Sequence, residues 1–309
     1  MSQSSSRLRI GTRGSPLALA QANLVRAALA AAGQLCEIVT LKTTGDRIQD
    51  RPLAALGGKG LFTKEIEEAL RADTIDLAVH SMKDVPVILP DGLTIAALLP
   101  REDARDAFLS HKAHSLGGLS KGARVGTSSV RRQAQVARAR PDVEIVSLRG
   151  NVDTRLAKLD SGEFDAILLA VSGLKRLGLV NRATAFVSVD EWLPALSQGA
   201  VGIEVRKDDA PAVAAAHALN DAPTAIALAC ERAFQAALDG SCLTPIGGFA
   251  QFQEGRLRFR GEVIAPDGSG FADTVLECAL GADAEREAAR LGREAGLDLK
   301  PRVLRWLVH

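Results

Sequence analysis

Arginines, hydroxyls and a carboxylate recur where short apolar runs give way to amphipathic stretches: Arg13 and Ser15; Lys83 and Asp84; Thr127, Ser129, Arg131 and Arg132; Arg149 and Arg155; and Arg176. Arginine pairs in bidentate fashion with carboxylate or phosphate, and hydroxyls beside helix starts add further donors. The pattern therefore predicts a crevice for a ligand carrying several anionic groups. Any one of these arginines could equally be a solvated helix start; their recurrence at several turns favours the crevice. Asp84 is the only carboxylate of its turn, beside Lys83 and ahead of Pro86. It either caps that turn, or transfers protons and stabilises a cationic intermediate. A Schiff-base role for Lys83 has no supporting neighbours.

Cys242 lies in a glycine-bounded turn, Gly240-Ser241-Cys242-Leu243-Thr244-Pro245. A free cysteine is commonly inert core, but a thiol held in an accessible turn can attack an electrophile as thiolate. Gly57-Gly58-Lys59-Gly60 lacks the spacing of a phosphate loop and the hydroxyl residue that should follow it, so it reads as a flexible loop near an opening. His111 and His114 have no companion ligands, so no metal site is expected.

The remaining composition narrows the classes. Lys and Arg total 38 against 37 Asp and Glu, so no global field draws the chain to nucleic acid or an anionic membrane. The first residues lack a secretory signal's pattern, no apolar stretch reaches membrane-spanning length, and the four cysteines form no C-x-x-C pair. A cytoplasmic protein with free thiols is the expectation.

The elements that must position these side chains follow from periodicity. Strands are expected over 8–11, 35–42, 75–80 and 94–99, with helices from 16 to about 32 and over 62–71. Ser15 suits an N-cap and Pro16 the first helical position. The charged stretch 100–106 reads as a crossing between domains rather than a core element. Beyond it the pattern repeats, with strands at 124–126, 143–148 and 166–171 and helices starting near 129 and 151. The fold class is α/β. A strand at 199–205 and an alanine-rich helix at 223–238 follow. From 249 the chain turns to three strands and a helix over 282–295 stopped by Gly296, a small α+β domain.

Taken together, several segments resemble the porphobilinogen deaminases: Thr12-Arg13-Gly14-Ser15-Pro16, Gly57-Gly58-Lys59-Gly60-Leu61-Phe62, Val79-His80-Ser81-Met82-Lys83-Asp84-Val85-Pro86, Gly126-Thr127-Ser128-Ser129-Val130-Arg131-Arg132, Ser147-Leu148-Arg149-Gly150-Asn151 and Ser241-Cys242-Leu243-Thr244-Pro245. The resemblance runs in order along almost the whole chain. It implies two doubly wound, transferrin-like (periplasmic-binding-protein-like) α/β domains around a cleft, plus a small α+β C-terminal domain. Domain one would take 1–99 and 200–218, domain two 105–193 and domain three 219–309, with hinges near 100–104 and 194–199.

It also implies a reaction: stepwise head-to-tail condensation of four porphobilinogens into linear hydroxymethylbilane, releasing ammonia, on a dipyrromethane held by a thioether to Cys242. The family's pattern assigns catalysis to Asp84 and Lys83 and cofactor binding to these two with Thr127, Ser129, Arg131 and Arg132. Substrate binding falls to Arg13, Ser15, Gln21, Arg149, Arg155 and Arg176. A monomer is the expectation because no apolar stripe demands a partner, and charge, hydropathy and ligand spacing predict no nucleic-acid, membrane or metal partner. Ser241, where many relatives have glycine, and the absence of tyrosine depart from the pattern without removing a catalytic group. The rivals are a non-enzymatic two-domain anion-binding protein, which needs neither Cys242 nor Asp84, and a metal-dependent phosphate-ester enzyme, which lacks its second carboxylate.

Overall fold

The computed structural model describes residues 7–47, 60–238 and 244–307. The chain opens with β1 (Leu8–Arg13), α1 (Pro16–Ala31), β2 (Cys36–Leu41), α2 (Thr44–Arg47), α3 (Lys64–Arg71), β3 (Leu77–Ser81) and β4 (Leu93–Leu98). It continues with β5 (Asp106–Leu109), β6 (Arg124–Gly126), α4 (Val130–Ala139), β7 (Glu144–Val146), α5 (Val152–Asp160), β8 (Ala166–Ala170), α6 (Val171–Arg176) and β9 (Ala185–Phe186). The last stretch holds β10 (Val201–Arg206), α7 (Ala210–His217), α8 (Ala222–Ala237), β11 (Ile246–Gln253), β12 (Arg256–Ile264), β13 (Phe271–Ala279) and α9 (Ala284–Val303).

The described residues form two compact units, one from 7–47, 60–101 and 200–225, the other from 102–199, 226–238 and 244–307. In the first, the sheet order is β2-β1-β3-β10-β4, with β1 parallel to both neighbours and β10 antiparallel to both of its own. Helices α1 and α7 cover one face, where Val25 and Leu29 meet Ile10, Val79 and Ile203. Helix α3 covers the other, bringing Ile66 and Leu70 onto Ile75, Ala78 and Leu93. Ile66 and Leu70 are wholly buried, worth together about 4 kcal/mol of transfer free energy.

The second unit repeats the arrangement as β7-β6-β8-β5-β9, with β5 the antiparallel member. A short sequence likeness, Ile10-Gly11-Thr12 against Val125-Gly126-Thr127, accompanies the same order of strands. Its remaining part is the antiparallel meander β11-β12-β13, on which α8 and α9 pack around Phe234 and Phe259, rings edge to face at 5.0 Å.

Two expectations are corrected. Gly296 does not stop the last helix: α9 runs on to Val303, with Pro301 inside it. Gly292 and Gly296 instead let α9 approach α8, since an added Cβ would lie 2.1 Å from the Cys230 carbonyl oxygen and 2.8 Å from that of Phe234. The charged stretch 100–106 is likewise not all crossing, because Asp106 opens β5 and is 1% exposed. Smaller shifts concern ends: the helix expected from 62 starts at Lys64, and the strand expected over 143–148 is Glu144–Val146.

Candidate functional site

In the first unit, β1 delivers Arg13 and the turn after it starts α1. Ser15 is the N-cap, its Oγ accepting from the Ala18 N–H at 3.3 Å, and Pro16 follows as expected. The Arg13 guanidinium reaches Asp46 at 2.5 Å and lies 4.1 Å over the Phe62 ring. Burial alone would raise the Asp46 carboxyl, but Arg13 and Thr43 bring it below the usual carboxylate range. Gln21, buried on α1, donates through Nε2 to Ser81 Oγ at 2.7 Å, tying the helix to the end of β3.

Strand β3 ends in a single 3-10 turn, Met82–Asp84. Met82, 1% exposed, anchors it from below, and its N–H donates to the Ala200 carbonyl at 3.1 Å. Gly202 of β10 makes room, since a Cβ there would sit 2.1 Å from the Met82 sulfur. This fixes Lys83 and Asp84, both half-buried, at the strand end. Arg13, Ser15, Gln21, His80, Ser81 and Asp84 line one pocket. Lys83 is not among its lining residues.

In the second unit, β6 leads to Thr127 and Ser129. Ser129 caps α4, accepting from the Arg132 N–H at 3.5 Å, and its own N–H donates to Thr127 Oγ1 at 3.2 Å. Arg131 and Arg132, 3% and 6% exposed, converge on Asp106 at 2.8 and 2.6 Å. Trp192 Nε1 and Gln198 Nε2 donate to the same carboxylate at 3.0 and 2.8 Å. Burial would raise the Asp106 carboxyl, but the two guanidiniums hold it far below the ordinary value; burial also lowers Arg131, against the pull of Asp106. These two arginines are thus largely committed to a buried ion-pair hub. The Nε atom of each is buried without a partner among the described residues.

Asn151 caps α5, its Oδ1 accepting from the Thr154 N–H at 2.9 Å, and Arg155 Nε donates to the Gly150 carbonyl at 2.8 Å. Gly150 takes φ of +112°, which only glycine adopts easily, and so turns the chain between Arg149 and the cap. Arg176, at the end of α6, donates to the Gly199 carbonyl at 2.5 Å, and burial lowers its pKa. The structure therefore gathers Arg13, Ser15, Gln21 and Asp84 in one pocket. It sets Thr127 and Ser129 after β6, Arg149 after β7, Arg155 in the first turns of α5, and Arg176 at the end of α6. Cys242 and Gly57 to Lys59 lie outside the described residues.

His111 pairs with Asp160 at 2.9 Å on the surface, and no cluster suited to a metal ion occurs among the described residues. Three features escaped the sequence reading: the Asp106 hub, the His80–Glu204 pair, and Glu231, which accepts from the Ser197 and Ala250 N–H groups at 2.5 and 2.7 Å. A carboxylate inside an apolar strand, as Glu204 is in Val201–Arg206, was the available signal.

The family described as "Porphobilinogen deaminase, dipyromethane cofactor binding domain" matches residues 8–214, and "Porphobilinogen deaminase, C-terminal domain" matches 225–301. The porphobilinogen deaminase of Nitrobacter winogradskyi is 55% identical over 298 residues, covering 95% of this chain and 93% of that protein. That of Nitrobacter hamburgensis is 57% identical over the same shares. Among solved structures, a periplasmic substrate-binding protein of an ABC transporter from Coxiella burnetii is similar at a TM-score of 0.43 and 17% identity, over 70% of this chain and 93% of that one.

Proposed function

The chain belongs to the porphobilinogen deaminase family, and we propose that the strand-end groups of its two units carry out that family's chemistry as the sequence pattern assigns it. The family's enzymes are transferases, hydroxymethylbilane synthases, which join four porphobilinogens head to tail with loss of ammonia. The first matched domain is the one that binds the dipyrromethane cofactor.

The donor set fits that group. It carries carboxylate side chains, and the second unit offers the hydroxyls of Thr127 and Ser129 together with buried, unpartnered Nε atoms on Arg131 and Arg132. Lys83 and Asp84 complete the proposed cofactor-binding set, with Cys242 as the covalent attachment. When bound, the cofactor supplies the pyrrole end from which the product grows.

Arg13, Ser15 and Gln21, with Arg149, Arg155 and Arg176, bind the substrate's acetate and propionate groups by charge-assisted hydrogen bonds. Asp84 holds its carboxylate where positive charge develops as ammonia leaves and handles the proton there, with Lys83 beside it. The enzyme works as a cytoplasmic monomer on a small-molecule substrate, without membrane or nucleic-acid partner. Its balanced charge and the free thiols of Cys36, Cys230 and Cys278 support this, and elution at the size of one chain in gel filtration checks the monomer.

The observation that carries the reading is Asp84 in one pocket with Arg13, Ser15 and Gln21. The non-enzymatic anion-binding alternative is not favoured, because a clamp for anions has no use for a carboxylate among its cationic and neutral donors. Asp84→Asn should keep the fold and the attached cofactor while turnover falls at least about 100-fold. Near-normal turnover in that variant would remove Asp84 from its role.

A further inference from the structure

The sheet of the first unit carries an ionisable layer on the face under α3. Leu77 and Val79 face the layer under α1 and α7, so Ala78 and His80 share the opposite face. Antiparallel register sets Glu204 of β10 opposite Ala78 and Gly202 opposite His80, leaving Glu204 diagonal to His80 on the same face. Its Oε2 lies 2.9 Å from His80 Nε2, and the two side chains are 4% and 0% exposed. The other oxygen, Oε1, is buried without a partner among the described residues, as is Oε1 of Glu67 on α3.

A wholly enclosed pair of this kind would be a packing device. This one borders a pocket: His80 is among the residues lining the one that holds Asp84, and its Nδ1 has no hydrogen-bond partner among the described residues. With Nε2–H donated to Glu204, Nδ1 carries the lone pair, the arrangement of a base oriented by a carboxylate. The charged groups around it are Glu204 from β10, Glu67 from α3, and Arg13 and Asp84 at the pocket wall. Burial raises the Glu67 carboxyl against the pull of Thr63, and Glu204, 2.9 Å from the ring, is the counter-charge placed to meet an imidazolium.

Resting on the reading above, each turnover of a substrate that enters as its ammonium breaks the aminomethyl C–N bond and forms a C–C bond in place of a C–H bond. Ammonia and one proton leave. We propose that His80 Nδ1 accepts that proton, exchanging it between the Asp84 pocket and solvent, with Glu204 as the positioning residue that fixes the ring and stabilises its protonated form.

The test combines histidine 13C NMR of the full-length protein as purified with the pH profile of condensation, the His80 signal being the one lost in His80→Gln. In the wild type that signal should change with pH as the ring gains and loses its proton. In Glu204→Gln its midpoint and the acid limb of the rate profile should both move to lower pH, because the protonated ring has lost its counter-charge. His80→Gln should retain the attached cofactor by intact mass and slow condensation about 100-fold. A His80 signal that does not titrate, or an acid limb that stays in place in Glu204→Gln, would overturn the proposal. Should the variants fail to fold, the wild-type titration alone decides. Failure of the family reading looks different: a wild-type protein that adds no pyrrole at all.

Discussion

At the scale of single residues, the groups legible in the sequence are those whose role is local. Ser15, Ser129 and Asn151 cap the helices that begin beside them, and Arg13 and Asp84 end the strands that precede them. What stayed hidden depends on pairing across the fold: Glu204 meets His80 from 124 positions away, and Asp106 meets Arg132 from 26. The Asp106 hub also revises how Arg131 and Arg132 act, since each guanidinium already has a protein carboxylate and backbone carbonyls. Removing one partner of a buried ion pair strands the other in low dielectric. Asp106→Asn leaves two buried guanidiniums without their counter-charge and should cost about 3–5 kcal/mol in urea unfolding. A loss under about 1 kcal/mol would show the hub to be solvated.

At the scale of elements, periodicity found the strands and helices of both units because their apolar spacing is regular. In α1 the buried residues Ala18, Ala22, Val25 and Leu29 keep a helical repeat. The last helix was misread because glycine has two uses that sequence does not separate, ending a helix and admitting a neighbour. In α9 it is the second: Gly292 lies against the Cys230 carbonyl of α8, where backbone cannot yield as a side chain tip would. Gly292→Ala should therefore destabilise by about 1–3 kcal/mol despite alanine's better helix propensity, measured by thermal or urea unfolding. Unchanged or improved stability would mean that α8 and α9 do not approach as closely as described. The stretch ending at Asp106 was misread for a related reason: a run of charges reads as solvated, and only the fold reveals that Asp106 turns inward to meet Arg131 and Arg132.

At the scale of the whole molecule, burial sorts the carboxylates into two groups with opposite pH dependence. The depressed Asp106 contributes stability that is present above the unfolded carboxylate range, about pH 4, and is lost as pH falls through its lower folded value. Glu262 behaves in the opposite sense: burial raises it, against hydrogen bonding from Gln135 and the charge of Arg138, so its contribution is present below about pH 4 and is lost as pH rises through the raised value. Glu262→Gln should thus gain stability relative to the wild type as pH rises above about 4, read as the difference in urea midpoints. A pH-independent difference would show that Glu262 is not desolvated. The α/β class and the family were both legible in sequence, the first from periodicity and the second from motifs spread along the chain. The attachment at Cys242 rests on that resemblance, because residues 239–243 lie outside those described.

The most direct test of the central claim is the intact mass of the purified chain before and after brief incubation with porphobilinogen. The account predicts a mass above the polypeptide by two linked pyrroles, lost in Cys242→Ala, and further single-pyrrole steps after incubation. A bare polypeptide mass, unchanged by porphobilinogen or by preformed hydroxymethylbilane, would contradict it.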